Sequence, residues 1–240
     1  ILHPEAGFKG VKVVAGFEVR RLVKSPHGIV FLACFACFYV WVAIKVYQAS
    51  DALGAVSSNL GILENPVFAL VGWLTDLSPE ALRDLWGAHA PALVAFFFLS
   101  RWLTPLLTMV GACEQTASDI GSRHLRYLLL RSDRTSIYVG KVAGTTIFLA
   151  LTFLASTLFI GLLALISGGG TTSIGEALFY LLRIWLSLVL FSLPFVALMA
   201  FANALVAKAV MAVVLGLGLQ FLMWLVSAVG SWTSSPLAKV

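Results

Sequence analysis

Residues 114–167 read EQTASDIGSRHLRYLLLRSDRTSIYVGK followed by VAGTTIFLALTFLASTLFIGLLALIS: a polar island over 114–141, then an apolar run over 142–167 with no charged residue. At 1.5 Å per residue, a helix of about 20 residues crosses the roughly 30 Å hydrocarbon core of a bilayer. The run over 142–167 is long enough to do so, and the island before it is the only long charged stretch between such runs. This pairing predicts a polytopic membrane protein with a polar platform hung between two spans.

Composition agrees. The chain has 240 residues, 60% of them hydrophobic and 11% charged, with a mean hydropathy of +0.97. A soluble domain carries roughly a quarter charged residues. Five spans are expected, over 28–47, 91–113, 142–167, 177–201 and 209–229. Glycines lie inside the apolar runs and no ten-residue alternation recurs, which argues for helices and against a β-barrel. The predicted fold class is all-α, a transmembrane helix bundle forming a single domain. Gly216, Gly218, Ala197, Ala200 and Ala204 supply small faces on which helices approach closely.

Basic residues alternate with the spans. Lys9, Lys12, Arg20, Arg21 and Lys24 precede the first span, and Arg83 alone follows it against Asp51, Glu64, Asp76, Glu80 and Asp84. The island over 114–141 carries Arg123, Arg126, Arg131, Arg134 and Lys141, the next connection carries no base, and Lys208 follows the fourth span. The positive-inside rule then places the N-terminus in the cytoplasm. The formal charge of +5 is accordingly a topology signal, and no nucleic-acid partner is implied.

Residues 7–24, GFKGVKVVAGFEVRRLVK, set Phe8, Val11, Ala15, Val19 and Leu22 at helical spacing. That stripe suits an N-terminal interfacial helix on the anionic inner leaflet, turning inward at Ser25-Pro26; a disordered basic tail is the alternative. In the segment over 48–90, Ser78-Pro79-Glu80 starts a short helix and Trp73 and Trp86 suit an interface belt. This segment either shapes an exit path or covers the membrane surface. Gly168-Gly169-Gly170 reads as a turn, since no Lys-Ser/Thr follows it. Cys34, Cys37 and Cys113 lie in or at apolar runs, where packing explains them and no metal site is expected.

Within the island, Leu125, Tyr127, Leu128, Leu129 and Leu130 form an apolar surface from which Arg123, Arg126, Arg131 and Arg134 project. Such an amphipathic helix either docks in a groove of a soluble partner or lies on the leaflet. The stretch HLRYLLLRSDRTSIYVGK, His124 to Lys141, resembles the signature of ABC transporter type-2 permease subunits, close to the copper-enzyme maturation (NosY-like) branch. Leu125, Arg126, Tyr127, Leu128 and Leu129 match its central block, Arg134 the arginine after it, and Gly140-Lys141 the closing pair before the third span. Arg123-His124 stand where the family often has Gly-Thr, and Asp119 stands for a glutamate usually nearer that pair.

The resemblance implies that 114–141 is a cytoplasmic coupling segment seated on a separate ABC ATPase subunit. It also implies a dimer with a second permease copy or paralogue, with ATP and Mg held by the partner ATPase and no cofactor bound by this chain. A six-span family layout implies a further span beyond the five read here. The expected function is that of the permease subunit of an ATP-driven exporter in the plasma (inner) membrane, not itself an enzyme; the chain has no GxxxxGK[ST] stretch. The alternative is a non-transport membrane subunit that passes ATPase-driven conformational change to a partner protein.

Other classes are disfavoured by the same residues. His3, His27, His89 and His124 all lie outside the expected spans and no HExxH occurs, which disfavours an intramembrane protease. No Asp or Glu lies within a span, which disfavours an ion-driven transporter. Lys45 and Arg183 lie near span ends and snorkel to headgroups. Arg101 is deeper, near the middle of the second span, where a charge costs about 2.5–3.5 kcal/mol on insertion scales. It either faces a possible cargo path and holds an anionic or amphiphilic cargo, or binds carbonyls and water near Pro105.

Overall fold

A computed structural model describes residues 4–58, 91–113, 134–166, 174–206 and 208–234. Six helices make up almost all of it: α1 (Pro4–Lys24), α2 (Pro26–Ser58), α3 (Pro91–Gly111), α4 (Arg134–Ile166), α5 (Ile174–Leu205) and α6 (Ala209–Ser234). Among the described residues there is no strand. Five stretches, Pro26–Ile44, Leu93–Gly111, Thr135–Ala164, Gly175–Leu205 and Ala209–Val226, are long and apolar enough to cross a membrane. By length and composition the chain is a multi-pass helical membrane protein.

Local chemistry sets the helix ends. Between α1 and α2, the Gly28 amide donates to Ser25 Oγ at 2.9 Å, so Ser25 is the N-cap and Pro26 the first residue of α2. A proline also disfavours helical backbone in the residue before it, which ends α1 at Lys24. At the far end of α3, the Asn203 side-chain amide donates to the Ala112 carbonyl at 2.9 Å. One of the carbonyls that a helix terminus leaves unpaired is thereby satisfied from α5.

The third span begins earlier than expected. Its helix starts at Arg134, so residues 134–141 are the first two turns of α4 and continuous with the span. At 33 residues, α4 is about 50 Å long, more than a bilayer core requires. Two turns therefore extend beyond the apolar run. Nothing in Thr135–Lys141 breaks a helix, and Ser136, Ile137 and Lys141 are buried.

The helices divide into two compact units, one of residues 1–24, 105–148 and 192–240, the other of residues 25–104 and 149–191. The second unit is built on an aromatic ladder. Phe31, Phe35 and Tyr39 recur one turn apart on α2, with ring centroids 5.8 and 4.5 Å apart. Phe35 meets Phe153 of α4 at 6.1 Å and Tyr39 meets Phe96 of α3 at 5.5 Å. Polar groups tie the same helices: Tyr39 Oη donates to Ser100 Oγ at 3.2 Å, and Trp185 Nε1 donates to the Ala150 carbonyl at 2.9 Å.

In the first unit, Met109, Met199 and Gly216 bring α3, α5 and α6 together. The expected small-residue face is only partly used. Gly216 and Ala200 are packed, whereas Gly218 has nothing near it and Ala197 and Ala204 are exposed. On α1, Ala15 and Leu22 of the expected stripe are buried and Val11 and Val19 are half-buried. Glu18 is buried with them, 1% exposed, while Val13 and Phe17 face outward.

Candidate functional site

Two closely spaced glycines organise the site. Gly140 and Gly144 lie one turn apart on α4, the GxxxG spacing that lets two helix backbones approach. α1 occupies that notch. A Cβ on Gly140 would lie 2.7 Å from Val14 Cβ and 3.1 Å from the Val11 carbonyl oxygen, and one on Gly144 would lie 2.7 Å from Glu18 Cβ and 2.9 Å from the Ala15 carbonyl oxygen. Real Cβ atoms essentially never approach heavy atoms closer than 3.0 Å. Only glycine at both positions permits this crossing.

Between the two glycines sits Lys141, 3% exposed. A buried ammonium needs compensating charge and hydrogen bonds. Glu18 supplies the charge: it attracts Lys141, while Arg21 opposes that attraction. Arg21 in turn holds Glu18, with Nη2 2.7 Å from Oε1, and its own side chain remains 24% exposed. The Arg21–Glu18 pair thus runs from the open side of α1 to the interior, where Glu18 packs at Gly144, within electrostatic reach of Lys141. Across from this contact, Tyr138 and Val139 are about half exposed, so the first two turns of α4 have one face on α1 and one face open.

Of the residues expected to couple to a partner, Gly140 and Lys141 belong to this contact, and Arg134 opens α4. Asp119, Leu125, Arg126, Tyr127, Leu128 and Leu129 lie outside the described residues, as do Trp73, Trp86 and the Ser78-Pro79-Glu80 helix start. Glu18, Val14 and Gly144 were not among the expected site residues. The available signals were the GxxxG spacing at 140–144 and an acid in an otherwise basic segment, lying on the same helical face as Ala15 and Leu22.

Arg101 belongs to the second unit and is exposed. Its guanidinium carbon stands 4.8 Å from the centroid of the Phe191 ring on α5, within cation–π range. No salt bridge joins Arg101 to a carboxylate among the described residues. Among the described residues, no three His, Cys, Asp or Glu side chains gather where they would hold a metal ion. Compared with known proteins, the chain matches no family model, no curated protein and no solved structure.

Proposed function

We propose that this chain is the membrane permease subunit of an ATP-driven exporter, of the ABC transporter type-2 kind. In this reading the island over 114–141 seats on a separate ABC ATPase subunit, with Asp119, Leu125, Arg126, Tyr127, Leu128, Leu129 and Arg134 at or beside the contact. ATP and Mg belong to that partner. Two permease copies, or this chain and a paralogue, flank the cargo path in the plasma (inner) membrane, with the N-terminus cytoplasmic.

The observation that carries the reading is the α1–α4 clamp. A partner that pushes on a polar segment accomplishes nothing in the membrane unless the push reaches a span. Here residues 134–141 are the first two turns of α4 itself, and Gly140, Lys141 and Gly144 tie those turns to α1. A displacement of the island therefore carries the first turns of α4 and α1 together, and rigid-body movement of packed helices is a common form of conformational switching. On α1, Lys12 and Arg20 are exposed beside Val13 and Phe17, a face suited to the anionic leaflet on which such a helix slides or tilts.

Affinity purification in mild detergent tests the reading. The wild type is expected to retain an ABC ATPase subunit, and Arg126→Glu and Tyr127→Ala are expected to lose it. If no ATPase accompanies the wild type under any condition, the permease reading is overturned. A cargo assay on the complex then separates an exporter from a subunit that only passes movement to a partner protein.

A further inference from the structure

We infer that the face of the second unit carrying Arg101 and Phe191 is a binding site for an anionic amphiphile, a carboxylate or phosphate head on an alkyl chain. Arg101 lies near the middle of the apolar stretch Leu93–Gly111, more than 10 Å from either end by the helical rise of about 1.5 Å per residue. A guanidinium at that depth normally faces protein or water and pairs with an acceptor. This one is exposed, has no carboxylate partner among the described residues, and rests on the Phe191 ring at 4.8 Å.

The ring contact satisfies the charge only in part, and the guanidinium N–H donors have no carboxylate acceptor among the described residues. Those donors match a carboxylate or phosphate bidentately. The ring also restricts the side chain, so less conformational freedom is lost when an anion binds. The neighbours supply the second half of the ligand's chemistry: Trp102, next to Arg101, is 67% exposed and Leu190, next to Phe191, 56%, so each helix adds an exposed apolar side chain beside the pair. A small inorganic anion would not engage that surface, and a neutral lipid would leave the guanidinium without an anionic partner. An anionic head with an alkyl body satisfies both.

The inference rests on the transport reading above only in making that ligand the cargo; the site itself lies within this chain. Its test therefore uses the purified full chain without any ATPase. Binding of a fluorescent long-chain fatty acid, its methyl ester and a long-chain alkyl phosphate is measured in neutral detergent micelles, for wild type, Arg101→Gln, Arg101→Lys and Phe191→Leu. Thermal unfolding and light scattering report fold and oligomeric state for each.

The wild type is expected to bind the acid or the phosphate at least tenfold more tightly than the ester, and the stronger of the two anions names the head group. Arg101→Gln is expected to remove that preference while leaving ester binding unchanged, Arg101→Lys to keep part of it, and Phe191→Leu to weaken the anion severalfold. Equal binding of anion and ester by the wild type overturns the inference even if Arg101→Gln fails to fold. So does a folded Arg101→Gln that keeps the preference, or one whose only change is in oligomeric state, which would assign this face to a second copy. An ATPase that co-purifies while the anion preference is absent sinks this site alone; the reverse result sinks the exporter reading alone.

Discussion

Replacing Gly144 with alanine adds one methyl group at the narrowest point of the α1–α4 contact. Its Cβ would lie 2.7 Å from Glu18 Cβ and 2.9 Å from the Ala15 carbonyl oxygen, against an ordinary contact of 3.4–4 Å. The obstructing atoms belong to or adjoin the α1 backbone, so a rotamer change does not relieve them. α1 must retreat by about 0.7 Å or more to reach van der Waals separation. Overpacking of this kind costs about 1–3 kcal/mol. Alanine meanwhile favours the helix over glycine by about 0.8–1.0 kcal/mol, which partly masks the clash.

Gly16→Ala provides the correction. Gly16 lies in α1 with nothing within 4 Å of an added Cβ, so it gains helix propensity without a clash. Thermal unfolding of the full chain in detergent should place Gly144→Ala below Gly16→Ala by about 1–3 kcal/mol. For a chain of this size that corresponds to roughly 2–4 °C per kcal/mol. Gly140→Ala, facing Val14 Cβ at 2.7 Å, should behave like Gly144→Ala. Equal stabilisation by Gly16→Ala and Gly144→Ala would refute the close approach of α1 and α4 and, with it, the route by which a push on the island reaches the span.

Three further outcomes are expected from the same packing. In a double-mutant cycle of Glu18→Gln and Lys141→Met, thermal stability should show a favourable wild-type coupling of about 0.5–3 kcal/mol, with the double variant more stable than the two single losses predict when added. Asn203→Ala should lower stability by about 1–3 kcal/mol, because the buried Ala112 carbonyl loses its donor; Asn203→Asp should not rescue it, since an ionised carboxylate donates no hydrogen bond. Tyr39→Phe keeps the ring ladder but removes the bond to Ser100, and its cost, read in the same assay, should stay near the roughly 0.6 kcal/mol average for hydrogen bonds between membrane helices.

Much of the architecture is legible in the chain because membrane insertion is a one-dimensional constraint. Each expected span lies on one of the five long apolar helices, and Ser25-Pro26 is the break between α1 and α2. Boundaries were less legible. The start of the third span was expected at Val142, where the charges stop, yet α4 begins at Arg134. A buried Lys141 beside Glu18 lets charged sequence continue the helix, and hydropathy alone does not foresee that compensation.

The candidate site was half legible. In the sequence Gly140 and Lys141 stand out through a motif resemblance, not as packing residues, and Gly144, Val14 and Glu18 lie outside that motif. On α1, the periodicity of Ala15 and Leu22 indicated an apolar face, but it was silent on what that face would meet. Arg101 stood out as a charge at membrane depth, whereas its position over Phe191, 90 residues later in the chain, was not derivable from spacing.

The amino-acid sequence by itself determined where the apolar helices among the described residues lie, their order and the polar island that precedes the third expected span, since each depends on hydropathy summed along contiguous residues. Tertiary structure alone decided which glycines are indispensable, where the buried lysine finds its opposing charge, and which aromatic ring receives the guanidinium. Those outcomes depend on distances between atoms on different helices, and a distance of 2.7 Å across two backbones leaves no imprint on the composition of either one.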